Sequence, residues 1–370
     1  MINLFRAIMI LSILAVLTGC GSMFGPKALQ QTHPAYNGAI ANTVGQEMLQ
    51  NLVRMRYRDN PNFLQISSVT ASLSLESRAN INTTIDLGPG GNVVGPGVGI
   101  TYTDRPTISY SPLQGEDFLK SVMTPISLEY VLVLIQSGWS VARVYGAAVE
   151  RMNDLLNAPT ASGPTPQQEP EYRSFKRMLS LMRQFQNAGD LEIGPDLATQ
   201  DNDLIMVFER DQVSEATLSE LFILLRVEGK RAGRENQDER IRISNNFIDI
   251  ASDEITMRTR SISSLMFYLS QNVSVPPEHD AAGLVTITKR ADGSPFDWND
   301  TPAGSVFRVA HSKKRPPASA IAIPYRGYWF YIADDDLETK TTFLLLMQLF
   351  SLQAGQTSSV PPTLTIPVGR

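Results

Sequence analysis

From Val69 to Leu87 the chain alternates with a period of two. Val69, Ala71, Leu73, Leu75, Ser77, Ala79, Ile81, Thr83, Ile85 and Leu87 are apolar or small, while Thr70, Ser72, Ser74, Glu76, Arg78, Asn80, Asn82, Thr84 and Asp86 are polar. Side chains on a strand alternate between faces, so this stretch predicts one long, half-wet strand. Gly88-Pro89-Gly90-Gly91-Asn92 reads as a turn. A second alternating run follows, with Val94, Pro96, Val98, Ile100 and Tyr102 as its apolar set. Ile108 and Tyr110 resume that set after a break expected at Asp104-Arg105-Pro106. The two runs together predict a β-hairpin over residues 69–110. Pro96 and Pro106 belong at edges, bulges or positions outside the ladder.

Elsewhere the period is helical. Ile40, Val44, Met48, Leu52 and Met55 form one stripe in a helix expected over Tyr36–Asp59, stopped by Asn60-Pro61. Helices are also expected over Gln114–Thr124, Ser127–Ser137, Ser140–Asn157, Glu171–Asn187, Ser214–Arg226, Thr259–Gln271 and Leu337–Gln353. The last is apolar all round, which predicts burial, and Asp335 with Glu338 reads as its capping box. Asp203–Glu209 and Ile241–Ser244 read as strands. Leu284–Lys289, Ser305–Ala310 and Tyr328–Ile332 read as a meander, with Ser319–Ile323 a further strand and Thr363–Val368 a last one. The Pro-, Ser- and Gln-rich segment Ala158–Pro170 reads as a linker. The expected fold is α+β: a helical N-terminal half (residues 36–157) carrying a long antiparallel β-hairpin, then an α+β C-terminal half (171–370) with a β-meander and a buried C-terminal helix.

The N-terminus adds a location. Met1 to Arg6 carries one positive charge, Ala7 to Val16 is apolar and too short to span a bilayer, and Leu17-Thr18-Gly19-Cys20 follows. Cys20 is the sole cysteine of the 370 residues. This stretch resembles the lipobox of bacterial lipoproteins, and the likeness covers the first 20 residues alone. It implies cleavage between Gly19 and Cys20, acylation of Cys20 (palmitate among the acyl groups) and attachment to a membrane. Gly21 departs from the aspartate that often follows the cysteine in inner-membrane lipoproteins, so the likeness implies the outer membrane, facing the periplasm. Gly21 to Pro34 reads as the tether.

Chemistry is scarce. One cysteine allows no internal disulfide, and a net charge of −5 disfavours nucleic acid as a partner. GPGGNVVGPGVG lacks the Gly-Lys-Ser/Thr of a phosphate loop. There is no G-x-S-x-G and no H-E-x-x-H. Ser140 reads as a helix cap, His279 and His311 as exposed or structural, and Asp292-Gly293 as a turn rather than a calcium loop. No cofactor, metal site or catalytic residue is assigned. The expected partners are the membrane, through acylated Cys20, and other proteins or further copies of the chain. Three readings follow: a non-enzymatic component of a cell-envelope assembly, a subunit of an oligomeric outer-membrane pore or export complex that inserts the 69–110 hairpin, and an envelope hydrolase. The hairpin's apolar face packs on helices in the first and enters lipid in the second, and its edge could also take a partner strand. The face that decides is Val69, Leu73, Leu75, Ile81, Ile85 and Leu87 with Val98 and Ile100.

Overall fold

The computed structural model describes residues 21–84, 93–196, 204–209, 213–228, 239–248 and 251–354. The signal segment, Cys20, the Gly-rich turn, Ile85, Leu87 and the strand expected at Thr363–Val368 lie outside the described residues. The chain forms two compact units. The larger holds the described residues up to Pro61 and from Val122 to Gln353, and the smaller those from Asn62 to Ser121 with Ala354.

The smaller unit is the hairpin with its base. Strand β1 (Leu64–Thr84) pairs antiparallel with β2 (Val93–Pro112), and the register shifts once, between Ile66 and Ser68. No break occurs at Asp104-Arg105-Pro106, because β2 runs straight through both prolines. A two-stranded sheet leaves β2 an outer edge, where a missing N–H costs no ladder bond. At the base, Leu113 N donates to Phe63 O (2.8 Å), and the Phe63 and Phe118 rings meet at 5.6 Å.

The larger unit opens with helix α1 (Gly21–Arg56). Residues 21–34, expected as a tether, are therefore helical. Lys27-Ala28-Leu29-Gln30-Gln31 supplies helix formers between Pro26 and Pro34, and the helix runs through both prolines. Met48, Leu49, Leu52, Val53 and Met55 bury one face, while Val44 is 36% exposed. Helix α2 (Glu116–Met123) begins in the hairpin unit, and α3 (Leu128–Gln136) and α4 (Val141–Ala148) follow. The helix expected over Ser140–Asn157 stops at Ala148. Val149–Met152 (β3) and Leu155–Leu156 (β4) enter a sheet instead, because pairing with β8 (Glu254–Thr259) buries Val149 and Met152 and overrides local propensity.

That sheet runs β4-β3-β8-β7-β6-β5, with β5 at Leu191–Pro195, β6 at Leu204–Phe208 and β7 at Glu239–Ser244. β7 and β8 are parallel and the other neighbours antiparallel. Helix α5 (Arg173–Ala188) buries Phe175, Met178, Leu179, Met182 and Phe185. Phe185 meets Phe208 of β6 at 5.2 Å, and Phe208 meets Phe222 of α6 (Glu215–Leu225) at 5.7 Å. Ser214 caps α6 through Thr217 N, as its position predicts.

Residues 158–170 are no linker, and the compact units divide at 61/62 and 121/122 instead. Ala158 and Ala161 are fully buried around a 3₁₀ turn, and Thr165 receives Arg56. Helix α7 (Ile262–Ser270) packs with α1, and the five-residue α8 (Pro277–Ala281) follows it. β9 (Ala310–Ser312), β10 (Ser319–Tyr325) and β11 (Tyr328–Ala333) form the second sheet, in the order β10-β11-β9. Leu284–Lys289 forms no strand, and of Ser305–Ala310 only Ala310 does. Buried Phe296, Trp298 and Phe307 fix that region as a packed loop. Helix α9 (Leu337–Ala354) closes the described chain. It is buried on one face through Phe343, Leu345, Leu346 and Leu349, but Leu337 and Leu344 are 67% and 51% exposed. Its cap is Asp336, one residue later than expected, because Thr339 returns both its N–H (3.0 Å) and its hydroxyl (2.8 Å) to that carboxylate.

Candidate functional site

The register of the hairpin unites its two alternating patterns. Residues directly opposite in an antiparallel pair share a face. Val69 stands opposite Ile108, Leu75 opposite Tyr102, Ser77 opposite Ile100, Ala79 opposite Val98 and Ile81 opposite Pro96. One face thus collects the apolar and small residues of both strands. The other pairs Ser74 with Thr103, Glu76 with Thr101, Arg78 with Gly99, Asn80 with Gly97 and Asn82 with Gly95. Leu73 faces Asp104, which ends the apolar run on the base side. From Leu75–Tyr102 to Thr83–Val94 there are nine consecutive pairs without a charged residue on the apolar face. No other described strand extends this sheet. No described helix is long and apolar enough to cross a membrane, a statement that does not concern strands.

A second assembly escapes the sequence reading. His279 and His311, which the sequence separates, both meet Tyr328 edge-on, with ring centroids at 5.1 and 5.6 Å. His279 is buried, and its Nδ1 lies 2.6 Å from the Tyr57 hydroxyl. Burial pushes the Tyr57 phenol up to about 12, against the pull of Arg326 and Arg56, so it stays neutral. Tyr328 donates to Glu278, which also pairs with Lys313 at 2.7 Å. His311 Nδ1 lies 2.8 Å from Ser274 Oγ. Burial lowers the His311 imidazole, the Ser274 hydrogen bond opposes that, and His279 adds to it. A serine with an imidazole is the start of a nucleophile–base pair. No described carboxylate orients this imidazole, since Glu278 is committed to Lys313 and Tyr328. The contact instead ties β9 to the segment after α7, beside the Ser274 N to Val309 O bond of 2.9 Å.

A groove of about 1200 Å³ in the larger unit is lined by charges that pair with each other, Asp154 with Arg226 and Glu169 with Arg173. Self-paired surface charges of this kind are a solvated wall. Asp292 accepts from Ser294 N (2.9 Å) and Asp297 from Asn299 N (3.0 Å), so both serve turns. Among the described residues no group of three or more His, Cys, Asp or Glu is placed to hold a metal ion. The proposed lipidation site, Cys20, and the cleavage position after Gly19 lie outside the described residues. No protein-family model matches the chain, and no curated protein or solved structure is similar to it at a significant level.

Proposed function

We propose that the chain is a lipid-anchored outer-membrane subunit of an oligomer whose hairpins pair edge to edge to close a transmembrane β-barrel. The observation that carries this reading is the coincidence of the two alternating patterns in one register. A strand crossing a membrane needs about 9–11 residues, apolar outward and polar inward. The nine pairs from Leu75–Tyr102 to Thr83–Val94 approach that length, with Tyr102 and then Asp104 at one end. Ser74, Asn80, Asn82, Thr101 and Thr103 supply the polar face a wet lumen needs. A single hairpin cannot satisfy its outer backbone edges in lipid, so copies must pair until the sheet closes. β1 contains no proline, while β2 contains Pro96 and Pro106. Rotational symmetry joins the outer edge of β1 to the outer edge of β2 in the next copy, and Pro96 and Pro106, which carry no N–H, leave two positions of that seam without a donor. The lipobox at Cys20 would concentrate the subunits at the membrane.

The second reading is an anchored, non-enzymatic scaffold of an envelope assembly. The small residues Ser77, Ala79 and Thr83 on the apolar face favour it. Cysteines placed at Leu73, Ser74, Leu75, Ile81 and Asn82, with Cys20 kept lipidated, separate the two in intact cells. For the barrel, a water-soluble maleimide labels Ser74 and Asn82 sites, spares Leu75 and Ile81 sites, and purified protein crosslinks between protomers. Equal shielding of the odd sites in delipidated monomer would leave the scaffold alone standing.

A further inference from the structure

Between the end of α1, the residues after α7 and the loop around Trp298 lies a cavity of about 480 Å³. All its lining residues belong to the larger unit. Arg56, Gln271, Asn272 and Trp298 line it and are only 4%, 4%, 7% and 6% exposed. Each holds buried polar atoms with no hydrogen-bond partner in the protein: Arg56 Nε, Gln271 Oε1, both amide atoms of Asn272, and Trp298 Nε1. Buried polar groups are nearly always paired, so such a concentration around one cavity needs an explanation.

The charge balance gives the sign of the missing partner. Arg56 donates through one terminal nitrogen to Thr165 Oγ1 (3.2 Å) and Thr286 O (3.0 Å), both neutral. Burial pushes the Arg56 guanidinium down to about 10, and Asp280 opposes this electrostatically without forming an ion pair with it, so the charge is only partly compensated. A buried cation normally has a counter-charge. The acid on the cavity wall, Asp297, gives its Oδ1 to Asn299 N (3.0 Å) and Nδ2 (2.8 Å). Arg308 adds a second cation to the wall, shared with Asp336 at 3.2 Å.

We propose that this cavity binds a small organic carboxylate, held by Arg56 Nε–H and Trp298 Nε1–H, with a neighbouring amide or hydroxyl on Asn272. Its volume is in the range of small-molecule sites, about 300–1,000 Å³. One buried guanidinium and one indole N–H match a single negative charge. Asn272 presents one donor and one acceptor whichever way its amide is turned. Phe296 and Val309 offer an apolar wall to the body of the ligand. Gly304 holds the back of the site, since a Cβ there would collide with the Trp298 carbonyl and stand 2.5 Å from Asn272 Oδ1.

The test uses the purified full-length protein and four probes: formate, acetate, N-acetylglycine and N-acetyl-leucine, with N-acetyl-leucinamide and inorganic phosphate as controls. Thermal melting and titration calorimetry read binding. At least one N-acetylated acid is expected to bind and raise the melting temperature, and the amide is expected to do neither. Trp298→Phe keeps the ring but removes the donor, and is expected to weaken binding roughly tenfold or more. Arg56→Met is expected to abolish it, and Trp298→Phe keeps the test valid if that protein does not fold. Failure of all four acids would overturn the proposal and leave water as the partner of these atoms. Binding of phosphate without the acids, or binding unaffected by Trp298→Phe, would overturn it equally.

Discussion

Asp59 shows how single residues join distant parts of the chain. It accepts from the Tyr325 hydroxyl and from Arg326 (2.8 Å), linking the end of α1 to the β10–β11 turn. That turn places Arg326 at φ 46° and Gly327 at φ 81°, the two-residue geometry that suits a right-twisted hairpin. The Tyr325 hydrogen bond and then Arg326 hold the Asp59 carboxyl below its ordinary value. A carboxyl depressed in the folded state stabilises the fold above its unfolded value of about 3.9, and this contribution fades as pH falls through the folded value. Asp59→Asn is therefore expected to lower the melting temperature at pH 7, and the gap to the parent should close below about pH 4. Because the side chain is 39% exposed, the loss should stay within about 1 kcal/mol. Melting curves at pH 7 and pH 3 check this, and a gap that is constant with pH would contradict it. None of this was legible in the sequence, since Asp59 and Tyr325 are 266 positions apart. His279 and His311 were hidden in the same way, because only the folding of α8 and β9 around β11 brings them to Tyr328.

At the level of elements, the local pattern was a good guide wherever an element stood by itself. The hairpin was readable because its alternation is long and its two halves agree in parity. Most helices were readable from their stripes and caps, with α5 closing at Gly189 (φ 83°). The pattern failed where a neighbour decided the outcome. Residues 149–156 carry a helical stripe, yet 149–152 extend to pair with β8 and 155–156 pair back on them, and β8 itself sits just before a helix that seemed to begin at Thr259. Asn153 fixes that switch. It adopts φ 47°, donates to Leu225 O (2.6 Å) and accepts from Thr256 N (2.7 Å) while 5% exposed. Asn153→Ala leaves both backbone groups buried and unpaired, with an expected loss of about 3 kcal/mol in urea unfolding. Asn153→Gly removes the φ strain but not the lost bonds, so it should be nearly as damaging. A glycine variant of parental stability would show that the backbone angle, not the pairing, matters there.

For the whole molecule, the division into two compact units makes the hairpin removable. Leu73 and Asp104 are register partners, so Asn-Gly can join them as a two-residue turn in place of residues 74–103. The shortened protein is expected to keep the melting temperature of the larger unit and to lose all crosslinked oligomers. Oligomers that survived would place the assembly surface elsewhere. The polar face carries a further consequence through its glycines. Gly95, Gly97 and Gly99 stand opposite Asn82, Asn80 and Arg78, so over roughly 13 Å one of the two strands offers no side chain. Glu76 precedes Arg78 by one step on the same face. In a ring of copies, a circle of negative charge would lie one level from a circle of positive charge, beside the widest stretch of the passage. Neighbouring circles of opposite sign cancel at short range, so such a conduit would sort small solutes by size and scarcely by the sign of their charge.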